Sequence, residues 1–274
     1  MSVVGSDRSG VPVRLQQIRI AESVAGELRR RILSAGDGGT LPKQDEIVAE
    51  FGVSYPSVRE ALRILETEGL ITVRRGKTGG AHIHRPDAAS ASYALGLALQ
   101  ASRVNLQDLA DCLLILEPVC AAMCAGRKDR HQAVVPVLRE NVDKCEANLE
   151  DGIAFTHMAR LFHELLVVSA GNHTVGLVVR SLESLWTSQE EEWAESMAGR
   201  GDYFSLEERG VVVSAHRTIT DRIEIGDTAA VERAVRRHAA ATQRLFLTRF
   251  NDHVIDASSV RAVRGLRAAG RTAV

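Results

Sequence analysis

Three histidines fall on the apolar stripes of three separate stretches of helical periodicity. His163 accompanies Phe155, Ala159 and Leu166; His216 accompanies Val212, Ile219 and Ile223; His238 accompanies Val231, Ala234 and Leu245. A single inward histidine is usually a core residue satisfied by a hydrogen bond. Three converging in one bundle suit a divalent metal, because neutral imidazole is a good ligand for Zn, Ni or Fe. A second set is cationic and aromatic. Tyr55, Arg59 and Arg63 recur every four residues and share one helix face, with Ser57 in the same first turns, while Val58, Ala61, Leu62 and Leu65 form the other face. A helix divided this way keeps one side on its own domain and offers the other to the major groove of a duplex. There Arg59 suits a guanine O6/N7 pair, and Tyr55 a thymine methyl or a sugar. Lys43 and Gln44, just upstream, are placed for phosphate contacts. Arg75, Gly76 and Lys77 set two cations around a glycine where backbone can approach the minor groove.

The elements that must position these residues follow from periodicity and turn chemistry. Residues 1–15 are Ser/Gly/Val-rich and aperiodic, and read as a flexible arm. From Gln16 to Leu33, Ile20, Val24, Leu28 and Ile32 recur every four residues as one amphipathic helix, ended by glycines at 36, 38 and 39. A short helix from Lys43 to Phe51 stops at Gly52, and Ser54 is the expected N-cap of a third helix running to Glu68. After Gly69 the period changes to two, and residues 71–74 and 81–84 form a hairpin about a glycine-rich turn. Three helices and a glycine-tipped hairpin make a winged helix-turn-helix over residues 16–85. Beyond it, helices are expected over 88–102, 106–126, 131–149, 153–170, 173–198, 205–225 and 228–252, an antiparallel bundle that fills residues 86–253. The tail, 254–274, is expected to fray. The fold class is therefore mostly α, with a small β-hairpin wing on an N-terminal head and an all-α second domain.

Composition narrows the function classes. Hydrophobic residues are 45% and charged residues 25% of 274, ordinary globular usage, while aromatics are only 4%, which points to an aliphatic helical interior. No run suits a membrane span and no signal peptide is expected, so a cytoplasmic protein with no membrane partner is the expectation. The four cysteines show no CxxC pair and read as reduced core thiols. Residues 1–85 carry 13 Lys and Arg against 10 Asp and Glu, and residues 86–253 carry 17 against 24, so only the head favours a polyanion. That charge is modest, and a homodimer reading two half-sites is expected. No HExxH, GxSxG or P-loop is present. A metal-dependent helical-bundle enzyme and a purely architectural DNA binder remain the alternatives.

Leu41 and Pro42, the stretch from Gly52 to Arg63, and Leu65, Glu66, Glu68, Gly69, Leu70 and Ile71 resemble the winged-helix signature of the GntR superfamily of bacterial transcription regulators, and Gly76 matches its wing-tip glycine. The remainder is similar to the FCD domain of the FadR subfamily. It carries Leu116, Glu117 and Pro118, Phe162 and His163, Ser169 through Asn172, His216, Arg217 and Ile219, Gly226 and Asp227, and His238. The resemblance implies a homodimer on an inverted-repeat DNA operator, usually a repressor released by a small-molecule effector.

Four positions depart from the resembled patterns. The family often has arginine where this chain has Asp45 and Tyr55, so an operator different from the commonest half-site is expected. An aspartate one turn before the first histidine is replaced by Ala159, which leaves a three-histidine site, His163, His216 and His238, of weaker metal affinity. An arginine that grips an effector carboxylate is replaced by Leu113. With Leu113, Glu117, Ala159 and Trp186 as candidate effector-pocket residues, and Trp193 and Met197 as further candidates, an effector with a substantial apolar part is expected, for instance a lipid-derived or acyl metabolite. A small organic acid held on the metal is the alternative.

Overall fold

The computed structural model describes residues 13–34, 39–74, 76, 79–197, 205–250 and 253–257, with backbone alone at 13–16, 190–197, 245, 249 and 250. The chain divides into two compact units, one reaching Pro86 and the next starting at Asp87. The first unit has α1 (Val13–Ser34), α2 (Gln44–Phe51), α3 (Tyr55–Thr67), β1 (Ile71–Arg74) and β2 (Gly80–Ile83). Helix α1 starts at Val13, inside the stretch read as an arm, and residues 1–12 lie outside the described residues. Val24, Leu28 and Ile32 of α1 meet Ile47 of α2 and Val58, Leu62 and Leu65 of α3 in a continuous core. The Arg29 guanidinium donates from Nε to Glu68 Oε2 at 2.8 Å, tying α1 to the end of α3. The strands pair antiparallel, with Ile71 opposite Ile83 and Arg74 opposite Gly80. Gly76 sits in the connecting turn at φ 115°, a left-handed conformation that glycine adopts without strain.

Among its described residues the named elements of the second unit are all helices: α4 (Ala88–Ala101), α5 (Leu106–Gly126), α6 (Arg130–Ala133), α7 (Val135–Ala147), α8 (Gly152–Val168), α9 (His173–Met197), α10 (Leu206–Ile225) and α11 (Thr228–Phe250). Two expectations change here. The single helix over 131–149 is broken at Val134, because Pro136 in the first turn of α7 lacks an N–H and disfavours helix just before it. The chain past His253, expected to fray, is anchored as far as Ala257. Ile255 is 1% exposed and its N–H donates to Val104 O at 3.0 Å, while Ala257 N–H donates to Gln100 Oε1 at 3.0 Å. Burial of Ile255 together with these hydrogen bonds offsets part of the entropy of ordering this short segment.

Helix α5 is the spine of the unit, and α11 packs along it. By length and composition α5 is apolar enough to cross a membrane, contrary to the sequence expectation, but half of its apolar window is buried inside this unit, as in a core helix. Pro118, within α5, provides no N–H for the Leu114 carbonyl, and Arg236 of α11 donates to that oxygen from Nη1 at 3.0 Å. This bond fixes α11 against α5 two residues from His238. Helix α8 is started by Asp151, whose Oδ1 accepts from Ile153 N and Ala154 N at 3.0 Å each. Helix α10 is bracketed by a capping box of Ser205 and Glu208 and by Gly226 at φ 87°.

Candidate nucleic-acid interface and metal centre

In the first unit, Ser54 caps α3 and Pro56 occupies its first turn, which fixes the helix start and therefore its rotation. Val58, Ala61 and Leu65 are fully buried, and Tyr55, Arg59 and Arg63 lie exposed on the opposite side. Lys43 precedes α2 as its N-cap, its N–H donating to Glu46 Oε2 at 2.7 Å, and Gln44 opens the helix half-buried. Ser57 differs from expectation. It is 2% exposed, with its hydroxyl 3.0 Å from that of Ser54, and belongs to the cap and not to the outward face. Gly76 is exposed at the wing tip, while Arg75 and Lys77 lie outside the described residues. Tyr55 and Asp45, the two departures from the family pattern, meet: the Tyr55 hydroxyl donates to Asp45 Oδ1 at 3.0 Å.

In the second unit, α8, α10 and α11 bring His163, His216 and His238 together, so that one ring nitrogen from each lies within 4.8 Å of the others. His216 is fully buried and His238 is 7% exposed. Their Nε2 atoms are 3.0 Å apart, and His163 stacks parallel to His238 with ring centroids at 5.3 Å. Phe162 stacks on His216 at 3.9 Å and fixes its plane. Burial holds His216 well below the ordinary imidazole range and, reinforced by His163, depresses His238 to about 3, so both are neutral and carry lone pairs. His216 Nδ1 has no hydrogen-bond partner among the described residues. Neutral, buried imidazoles whose ring nitrogens converge are the donor set a divalent cation takes, so these residues fit a metal.

Two carboxylates border the cluster. Glu117 of α5 is 6% exposed, and its Oε1 accepts a short hydrogen bond from His163 Nδ1. Burial pushes its carboxyl up, but His163 and then His238 outweigh that and hold it below the ordinary range. The bond between Nδ1 and the carboxylate orients the His163 ring. Glu183 of α9 was not anticipated. Burial, then the Glu117 charge, pushes it up to about 8, and its Oε1 is buried without a hydrogen-bond partner among the described residues. Its signal was spacing: Val179, Glu183 and Trp186 stand at i, i+4 and i+7 on the inner side of α9. His157 and Glu164, by contrast, are exposed, and Glu164 pairs with Arg180 at 2.8 Å.

Of the candidate effector residues, Leu113 and Trp186 are buried members of the core around this cluster, and Ala159 packs against it half-buried. Trp186 contacts Phe246 edge-on at 5.2 Å. Leu113 lies one turn before Glu117 on α5. The side chains of Trp193 and Met197 lie outside the described residues. Three of the cysteines, Cys120, Cys124 and Cys145, are buried free thiols pushed by burial up to about 12, 12 and 11, which makes them unreactive.

Comparison with known proteins separates the same two units. Residues 20–79 match the family described as bacterial regulatory proteins, gntR family, and residues 108–241 match the FCD domain. A transcriptional repressor named NanR from Klebsiella aerogenes is 40% identical over 76 residues, 27% of this chain and 28% of that protein. NanR from Citrobacter rodentium is 27% identical over 243 residues, 86% of this chain and 88% of the relative. Among solved structures, a GntR protein of Streptococcus agalactiae superposes with a TM-score of 0.60 at 22% identity, covering 82% of this chain and 99% of that one, which supports the fold.

Proposed function

The chain belongs to the GntR family of bacterial regulatory proteins, with an FCD domain as its second unit, and on that premise we propose that this transcription regulator is a repressor. It binds an inverted-repeat DNA operator as a homodimer through the winged head, in the cytoplasm, and a small metabolite in the helical unit modulates it. Its family and relatives are transcription regulators and not enzymes. The observation that carries the DNA reading is the outward row of Tyr55, Arg59 and Arg63 on a helix whose other side is buried. Phosphate contacts from Lys43, and from Arg75 and Lys77 at the wing, would set the register. A gel-shift titration with the operator tests this. Arg59→Ala is expected to weaken binding by about 10- to 100-fold, a loss of about 1–3 kcal/mol. Unchanged affinity, or a wild-type chain that ignores every duplex at low salt, overturns it.

In the helical unit, His163, His216 and His238 would hold a divalent metal, Zn, Ni or Fe, with Glu117 orienting His163. When bound, such an ion polarises and anchors an oxygen ligand of the effector. Leu113, where an arginine would grip a carboxylate, favours an effector with a substantial apolar part, such as an acyl or lipid-derived metabolite. The three-histidine cluster favours the second reading, a small organic acid held on the metal. Calorimetry with acyl compounds and with short dicarboxylates separates the two. Ligand and DNA affinities are linked through the ligand's differential affinity for the two arrangements of the protein.

A further inference from the structure

The outward face of the first unit contains one feature that a cationic surface for phosphates does not explain. Asp45 stands exposed in the first turn of α2, and the hydroxyl of Tyr55, first residue of α3, donates to its Oδ1 at 3.0 Å. The neighbouring acid, Glu46, is turned back onto the Lys43 N–H. Tyr55 is 47% exposed and shares its face with Arg59 and Arg63, so the pair sits at the end of the helix that would enter a groove. A carboxylate there repels phosphate. An ionised carboxylate only accepts hydrogen bonds, and in the major groove the donors that a base pair offers are the amino groups of cytosine N4 and adenine N6. The tyrosine bond occupies one lone pair of the carboxylate and fixes its direction, leaving acceptor capacity open. Cytosine suits it better, because adenine places an acceptor, N7, beside its amino group, and that acceptor repels an acceptor-only side chain.

We propose that Asp45 and Tyr55 act as one specificity-determining pair, in which Asp45 accepts from the N4 amino group of a cytosine in the major groove and Tyr55 holds the carboxylate in place. This rests on the DNA-binding reading above. The test is selection by the full-length chain from a pool of duplexes randomised over about two helical turns, the span of two half-sites. It is repeated with Asp45→Ala, Asp45→Asn and Tyr55→Phe, all exposed sites whose melting temperatures check folding. Wild-type protein is expected to enrich a cytosine at one position of each half-site. Asp45→Ala should lower discrimination at that position by about tenfold and leave the other positions intact. Tyr55→Phe should blur the same position without a new preference, and Asp45→Asn should shift it toward adenine, which an amide contacts through N6 and N7. If Asp45→Ala strengthens binding to all sequences equally with an unchanged profile, Asp45 only repels phosphate and the proposal fails. If the wild-type chain selects no sequence, the DNA-binding reading fails and the pair with it.

Discussion

Glu117→Gln separates the charge of a buried carboxylate from its shape. Glutamine has nearly the same volume, and its Oε1 can still accept from His163 Nδ1–H, so core packing and the histidine tautomer are preserved at a site only 6% exposed. What is removed is the negative charge that stands behind one of the three imidazoles. A carboxylate in that position raises ligand basicity and offsets the charge of the cation, and its loss costs about 10- to 100-fold in metal affinity, or about 1.4–2.7 kcal/mol. The assay is competition for Zn against a chelating indicator, with metal content measured on the same protein and the melting temperature of the metal-free form as the folding control. The expected result is weaker metal binding at nearly unchanged metal-free stability. Ala159→Asp, which restores a carboxylate one turn before His163, should shift affinity the other way. Wild-type affinity in Glu117→Gln, or a wild-type chain that binds no metal, would refute the reasoning.

The buried titratable groups also predict how stability of the metal-free protein varies with pH. His238, depressed to about 3, and His216, also depressed, are neutral when folded, while the unfolded chain protonates both below about 6.5. Stability is therefore present above 6.5 and is lost as pH falls toward 3, by up to about 1.4 kcal/mol per pH unit for each group. Glu183 acts oppositely: raised to about 8, its contribution is full below its ordinary 4.5 and is lost as pH rises to 8. Denaturant midpoints should thus rise to about pH 6.5 and then decline, and a steady rise to pH 8 would contradict the assignment. Gly96→Ala places a Cβ 2.8 Å from the Ala257 Cβ and 3.1 Å from Leu185 Cδ1. The overpacking, about 1–3 kcal/mol, exceeds the helix-propensity gain of about 1 kcal/mol, so thermal melting should show a net loss, and a gain would mean that the segment around Ala257 yields freely.

The head was legible because its signals are local. Ser54 before a helix, Gly52 after one, and a change from period 3.6 to period 2 past Gly69 each constrain a few adjacent residues, and all agree. The three histidines were legible for the same reason, since each stands on an apolar stripe of its own helix. Ser57, which shares the first turns of α3 with Tyr55, is buried because it stands beside Val58 on the inner side and is bonded to the cap. The environment of Glu183 is not legible locally, because Glu117 on α5 and His163 on α8, the groups that face it, are distant in sequence. The anchored segment from His253 to Ala257 has no periodicity at all. Its order comes from Val104, Gln100 and Gln189, each far away along the chain.

That anchored segment has a topological consequence. Ala257 rests on Gly96, eight residues into the helix that begins at Ala88, so the first and last described stretches of the FCD unit meet within about 12 Å along the axis of α4. Among its described residues the second unit begins and ends in adjoining stretches. Tolerance to circular permutation follows for folds with adjoining ends.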